Sequence, residues 1–105
     1  MTDTTSTVHL VGRLGNRMEM RALPSGDEIL TFNLVVDRPK GHPGTVRVDT
    51  IPCQSIKAAV KRRLESLEAG ELIEAEGRLV RRFWRSGAGL ASAMEVEVET
   101  LRRLR

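Results

Sequence analysis

Apolar and polar residues alternate along five segments of the sequence. Alternation at every second position is typical of a β-strand with one buried face. The predicted strands cover residues 8–14 with a continuation through 18–21 beyond a kink, then 29–37, 46–53, 72–85 and 93–104. The segments at 24–27, 39–44 and 86–89 are rich in glycine, proline and serine, and they are predicted to be turns or loops.

The alternation also predicts which face of each strand is buried. In the last strand it places Met94, Val96 and Val98 inward and the intervening residues Glu95, Glu97 and Glu99 toward solvent. Pro52, near the end of the third strand, indicates an edge strand or a strand terminus.

The spacing of apolar residues changes between the third and fourth predicted strands. Apolar residues recur there at helical spacing, at Ile56, Ala59, Val60, Leu64 and Leu67. Ser55 is a plausible N-cap for this helix, and Gly70 fits its end. One helix is therefore predicted, following the third strand.

Three strands, one helix and two further strands are the order of an OB-fold, a five-stranded Greek-key barrel. The predicted fold is thus all-β with one α-helix between strands 3 and 4. Gly12 and Gly77 lie inside strands, which suits the sharp coiling of a small closed barrel. A generic α+β sandwich is the alternative. We expect residues 1–7 to be a flexible N-terminus and residues 8–105 to form the barrel domain.

The composition favours a small soluble protein. The 105 residues have a formal net charge of +3, and 40% of them are apolar, enough for one small core. The single cysteine excludes an intramolecular disulfide framework. Without a membrane-spanning run or a signal peptide, a cytoplasmic location is expected.

Positive charge is concentrated in two stretches that contain no acidic residue. The loop region 38–47 holds Arg38, Lys40 and Arg47. The second stretch, 78–85, holds four arginines around two aromatic residues: Arg78, Arg81, Arg82, Phe83, Trp84 and Arg85. Cations that follow phosphates and aromatic rings that stack on bases are what single-stranded nucleic acid requires. Trp84 is predicted to be exposed, and Phe32, in the middle of a strand, to be in the core.

The sequence contains no set of residues that predicts catalysis. His9 lies on the first strand and His42 in a loop, with no cysteine or carboxylate at metal-ligand spacing. Cys53 has no histidine nearby in the sequence and is predicted to be a packed thiol. We therefore expect no enzyme activity, no metal site and no cofactor.

Four short motifs resemble the bacterial single-stranded DNA-binding protein (SSB) family. They are Val11-Gly12-Arg13-Leu14-Gly15, Arg21 followed by Pro24-Ser25-Gly26, Glu76-Gly77-Arg78-Leu79, and Arg82-Phe83-Trp84. Together they extend the resemblance over nearly the whole chain. It implies an OB-fold, a homotetramer built from dimers, sequence-independent binding of single-stranded DNA in replication, recombination or repair, and no cofactor. It also implies that Trp84 stacks on bases and that Arg13, Arg78 and Arg82 contact phosphates.

The sequence departs from the family at two places. The third strand lacks the family's aromatic residues, with Arg47 and Cys53 near their positions, while Lys40 lies in the loop where another aromatic often occurs. The family's glycine- and proline-rich tail with an acidic tip is not expected in this protein, and neither is tail-mediated recruitment of partners. A diverged or accessory member fits these differences.

Two other interpretations remain open at this stage. One is an OB-fold assembly module of a replication or primosome complex, similar to primosomal replication protein N, a dimeric relative of the family. The other is RNA as the ligand, since a groove that follows the backbone tolerates both sugars.

Overall fold

The computed structural model describes residues 2–104, so Met1 and Arg105, the last residue of the predicted domain, lie outside the described part. It contains five strands and one helix. These are β1 (Val8–Ala22), β2 (Glu28–Asp37), β3 (Val48–Ser55), α1 (Ala58–Glu65), β4 (Leu72–Ser86) and β5 (Gly89–Arg103). Within residues 2–104, no helix is long and apolar enough to cross a membrane.

The strands form a closed barrel in the order β1-β2-β3-β5-β4. β1 pairs with both β2 and β4, and this double pairing closes the sheet. β3 and β5 meet in a short parallel contact at Cys53–Val96 and Gln54–Glu97. The predicted OB-fold is therefore confirmed, and the alternative α+β sandwich is wrong.

The barrel interior is filled by apolar side chains from all five strands and the helix. The buried cluster includes Leu14, Phe32, Leu34, Ile73 and Val98. Phe32 is thus in the core, as predicted. Val60 and Leu64 are the buried residues of α1, and the helix packs against β5.

Two glycines lie where strands approach closely. A Cβ atom at Gly12 would lie 2.6 Å from the Val35 carbonyl oxygen. A Cβ atom at Gly77 would overlap the Glu97 carbonyl oxygen, at an irregularity in the β4–β5 register. Any larger residue would push these strands apart, which explains glycine at both positions.

The kink predicted in the first strand is also present. β1 runs without interruption from Val8 to Ala22, but its register against β2 shifts between Leu14 and Met18. Such an irregularity bends a strand and increases its twist. The second half of β1 thereby reaches the surface that carries the arginines described below.

The predicted N-cap of the helix is wrong. Ser55 is the last residue of β3, where it pairs with Leu30, and its hydroxyl donates to the Val98 carbonyl oxygen at 2.8 Å. α1 begins after Lys57, which makes no side-chain capping bond, and Ile56 is exposed. Strand pairing and burial therefore determine the role of Ser55, and the helix is shorter than predicted.

The third strand is shifted relative to its prediction. It begins at Val48 rather than 46 and continues to Ser55, past the predicted end at Cys53. Pro52 lies inside the strand, opposite Asn33 of β2, and not at its end. The parallel contact with β5 begins only at Cys53, so Pro52 occupies the part of β3 that pairs on one side, which tolerates the missing N–H.

The predicted orientation of two residues in the last strand is also wrong. Met94 is 39% exposed, whereas Glu95 is only 6% exposed. The paired strands β4 and β5 continue beyond the barrel as a hairpin, so the inward-facing positions there no longer meet a core. Glu95 is buried instead by polar partners from β3 and β4, described below.

Candidate nucleic-acid interface

The predicted binding residues fall into two groups in the structure. The first group lies on the β4–β5 hairpin, and all of its members except Arg85 line one groove: Arg78, Arg81, Arg82 and Trp84. The second group, Arg38, Lys40 and Arg47, lines a separate pocket in the loop between β2 and β3. Arg13 lies on β1 and is held by Asp37, at the end of β2 before that loop.

The groove on the hairpin, here called the tryptophan groove, has a volume of about 490 Å³. Arg21 and the turn that follows β1 form its opposite wall, together with Ile29 of β2. A second groove of about 250 Å³, the barrel-face groove, runs across β1, β2 and β3. Both grooves include Arg21 and Arg82, so they join into one surface.

Two arginines on this surface were missed by the sequence analysis. Arg17 lines the barrel-face groove, and Arg21 lines both grooves. They belong to β1, far in sequence from the basic stretch 78–85, and only the barrel brings them beside Arg82. A signal was present, since Arg21 is a cation on the predicted continuation of the first strand and Arg17 comes immediately before that continuation.

Trp84 is exposed on this surface, with 37% of its area accessible. The guanidinium carbon of Arg82 lies 4.4 Å from the centre of the indole ring. This is the distance of a cation–π contact, and the two residues, two apart on one strand, share a face of β4. Arg82 therefore covers one face of the indole.

A buried carboxylate holds Arg82 in place. The Arg82 Nε donates to Glu95 Oε2 at 2.6 Å, and Gln54 Nε2 donates to the other oxygen, Oε1, at 2.8 Å. Glu95 was predicted to face solvent, and these two partners explain why it is buried instead. The chain of contacts runs from β3 through β5 to β4 and ends at Trp84.

Cys53 lies beside this network, and its thiol is unreactive. Burial, and next the negative charge of Glu95, raise the pKa of the Cys53 thiol to about 12. Such a thiol stays protonated and is a poor nucleophile near neutral pH. The structure thus confirms the packed thiol predicted from the sequence.

The other arginines of the hairpin differ in how they are held. Arg78 donates to Glu97 at 3.0 Å, and Arg81 donates to the Ser92 hydroxyl at 3.2 Å. Arg85 is exposed close to the tip of the hairpin. Arg81 and Arg85 therefore keep more of their positive charge available than Arg78 and Arg82 do.

The loop between β2 and β3 forms a smaller basic surface. Arg38 donates to Asp49 at 2.9 Å through Nη2, and Lys40 and Arg47 are exposed around a pocket of about 300 Å³ that also includes His42. Arg13 donates to both carboxylate oxygens of Asp37. This pairing lowers the pKa of Asp37, through the hydrogen bond first and charge attraction second.

His9 has carboxylate neighbours that sequence spacing did not reveal. The β1–β4 register brings it beside Glu74 and Glu76, with one ligand atom from each residue within 4.8 Å of the others. Glu74 already accepts hydrogen bonds from His9 and Arg102, and these lower its pKa. The cluster is on the outside of the barrel and is explained by ion pairing.

These features define a class of protein: a small OB barrel with an arginine-lined surface and one exposed tryptophan, and without an evident catalytic centre in the described residues. The model of the single-strand binding protein family matches residues 5–104. The chain belongs to this family.

The chain is similar to two curated relatives. It is 34% identical to single-stranded DNA-binding protein 3 of Listeria innocua over 83 residues, which cover 78% of this chain and 52% of the relative. It is 31% identical to single-stranded DNA-binding protein A of Bacillus subtilis over 99 residues, covering 92% of this chain and 58% of the relative. The chain thus spans little more than half the length of the curated relatives it matches.

A solved structure supports the fold. The Plasmodium falciparum SSB in complex with single-stranded DNA matches with a TM-score of 0.78 at 17% identity, over 100% of this chain and 99% of that chain. At this identity, the similarity establishes the OB barrel.

Proposed function

We propose that this protein binds single-stranded DNA without sequence preference, along the joined tryptophan and barrel-face grooves. The observation that carries the proposal is the position of Trp84, exposed where five arginines line one continuous surface. Family membership supports it, since the relatives from L. innocua and B. subtilis are named single-stranded DNA-binding proteins. Replication, recombination or repair at the nucleoid would use such an activity.

Each part of the surface has a distinct role in this proposal. The arginines contact phosphates, which are the same in every sequence, and Trp84 stacks on a base, because every base has a π-face. The loop residues Arg38, Lys40 and Arg47, with Arg13 beside them, extend the phosphate path beyond the two grooves. Binding requires no cofactor and no reaction on the DNA.

The test is binding of a fluorescently labelled oligo-dT, followed by anisotropy from about 20 to 300 mM salt. Cations that neutralise phosphates release counterions. The logarithm of the affinity should therefore fall linearly with the logarithm of the salt concentration, with a slope of about −0.7 for each phosphate contacted. Unlabelled oligo-dA should compete like oligo-dT if binding is independent of sequence, and duplex DNA should compete poorly. Equal competition by duplex DNA would contradict a single-strand groove. An RNA oligonucleotide in the same assay decides whether both sugars are accepted.

A second candidate function is assembly with another protein, and two observations favour it. Arg13, Arg38, Arg78 and Arg82 all pair with carboxylates, which reduces the charge free for DNA. On the face of the hairpin opposite Trp84, outside the tryptophan groove, the side chains of Leu79, Leu90 and Met94 are exposed. Absence of any oligonucleotide binding at low salt would favour this alternative.

The same exposed apolar residues support a homo-oligomer, and we propose a tetramer built from dimers. The exposed side chains on the hairpin would be buried against other copies, as large exposed apolar patches usually are. Sedimentation velocity at micromolar concentration tests the proposal. A tetramer is expected, a dimer would limit the assembly to one interface, and a monomer would contradict it.

A further inference from the structure

We propose that Glu95 is a positioning residue for DNA binding: it fixes Arg82 across one face of Trp84 and cancels the Arg82 charge. The inference rests on the proposed function. It changes the role of Arg82 from a phosphate contact to the support of the stacking residue.

The first step is the environment of Glu95. Its side chain is only 8% exposed, and both carboxylate oxygens accept hydrogen bonds, from Gln54 and Arg82. A buried carboxylate is stable only when it is paired and hydrogen-bonded. Arg82 is thus bound to a carboxylate that Gln54 of β3 holds in place. If Arg82 moved away, the buried charge of Glu95 would be left without an ion-pair partner.

The second step is the geometry at Trp84. While the Arg82 Nε donates a hydrogen bond to Glu95, the guanidinium carbon of Arg82 lies 4.4 Å from the centre of the indole ring. One indole face is thereby covered, and a base would stack on the part of Trp84 that stays exposed, 37% of its area. A fixed ring loses little conformational freedom when a base stacks on it, so the support improves stacking without contacting DNA.

The third step is the local charge. An arginine bound to a buried carboxylate contributes a net charge near zero to the groove, so it releases few counterions. Phosphate contacts in the grooves then depend on Arg17, Arg21 and Arg81, for which the described residues show no carboxylate within ion-pair distance. The salt dependence of binding can therefore separate the two roles of Arg82.

The main test compares Glu95→Gln with wild type in the oligo-dT salt series. Glutamine has the shape of glutamate, and its carbonyl oxygen can still accept from Arg82 Nε. Its NH2 group can donate to Gln54 once the Gln54 amide turns its oxygen toward it. The substitution therefore keeps the contacts but restores the Arg82 charge. The log–log salt slope should steepen by about 0.7, an additional loss of about 2.6-fold in affinity between 50 and 200 mM salt. Glu99→Gln is the matched control, because it makes the same change in net charge on the same strand, at a residue that pairs with Lys57 outside both grooves. Its slope should equal that of wild type.

The double variant Glu95→Gln/Arg82→Gln tests the same point without a net change in charge. Its slope should equal that of wild type, while its affinity falls because Trp84 loses its support. A slope lower by about 0.7 would mean that Arg82 contacts a phosphate in the wild-type complex, and the inference would be wrong. An unchanged slope in Glu95→Gln would contradict it equally.

A measurement on the free protein keeps the inference testable if DNA does not bind. Trp84 is the only tryptophan, so its fluorescence reports this site alone. In Glu95→Gln, the restored Arg82 charge should attract iodide, and the ratio of iodide to acrylamide quenching should rise. Glu99→Gln should leave the ratio unchanged. If the ratio of iodide to acrylamide quenching is equal in Glu95→Gln and wild type, Glu95 does not control the charge beside Trp84 and the inference is wrong. If the ratio rises but the protein binds no DNA, only the proposed function is rejected.

Discussion

Replacing Trp84 with alanine removes the one stacking residue of the proposed interface. Base–aromatic stacking contributes about 1–3 kcal/mol per base. Because Arg82 covers one indole face, only one base can stack on Trp84, and its 37% exposure limits the contact area. We therefore expect a loss of about 1–2 kcal/mol, equivalent to about 5- to 30-fold weaker binding.

The assay is anisotropy of labelled oligo-dT, since Trp84→Ala leaves no tryptophan to follow. Ile56→Ala is the matched control: Ile56 is an exposed apolar residue just before α1, and it lines neither groove. Both variants should keep the wild-type circular dichroism spectrum and unfolding midpoint, because both side chains lie outside the buried cluster.

Two results would refute this reasoning. If folded Trp84→Ala binds oligo-dT within twofold of wild type, no base stacks on the indole. If Ile56→Ala loses as much affinity as Trp84→Ala, the loss is not specific to the indole ring and the stacking argument fails.

Three further predictions concern charge, the core and the buried thiol. Arg21→Ala should weaken oligo-dT binding and lower the log–log salt slope by about 0.7, measured by anisotropy. Leu34→Ala should reduce the free energy of unfolding by about 2–5 kcal/mol in urea denaturation, since Leu34 is fully buried. Cys53 has a pKa of about 12 in the folded protein against 9.0 ordinarily. Because the unfolded chain ionises first, wild type should lose about 1.4 kcal/mol of stability per pH unit above pH 9, a loss that Cys53→Ala should lack.

Each of these predictions has a result that would contradict it. An unchanged salt slope in Arg21→Ala would exclude a phosphate contact at that residue. A loss below about 1 kcal/mol in Leu34→Ala would be inconsistent with the closed barrel core. The free energy of unfolding would be measured between pH 8 and 11 and compared with its value at pH 7. If it changes equally in wild type and Cys53→Ala, burial does not raise the pKa of the thiol.

The fold could be predicted from the sequence because its main signals are local. Alternation marks each strand, helical spacing marks α1, and the order of elements is sufficient to select an OB barrel. Gly12 and Gly77 were informative for the same reason, since each lies inside a strand where no side chain fits. The predicted start of the helix is wrong because Ser55 pairs with Leu30 and hydrogen-bonds to Val98. Both partners are distant in sequence, so the local pattern does not show them.

The site could be predicted only in part, because its contacts connect distant strands. The basic stretch 78–85 is continuous in sequence, so its arginines and Trp84 could be proposed together. Arg21 joins them only through barrel closure. Glu95 was predicted to be exposed because alternation cannot show that Gln54 and Arg82 will enclose it.

The most direct test of the central claim is a titration of the wild-type protein with oligo-dT, following Trp84 fluorescence at low and then moderate salt. The account predicts strong quenching at low salt and the same final quenching at moderate salt, reached at higher oligo-dT concentration. That result would place a base on Trp84 within a surface that follows phosphates. Absence of quenching, with no mobility shift of the same oligonucleotide, would contradict the account and direct the search to protein partners.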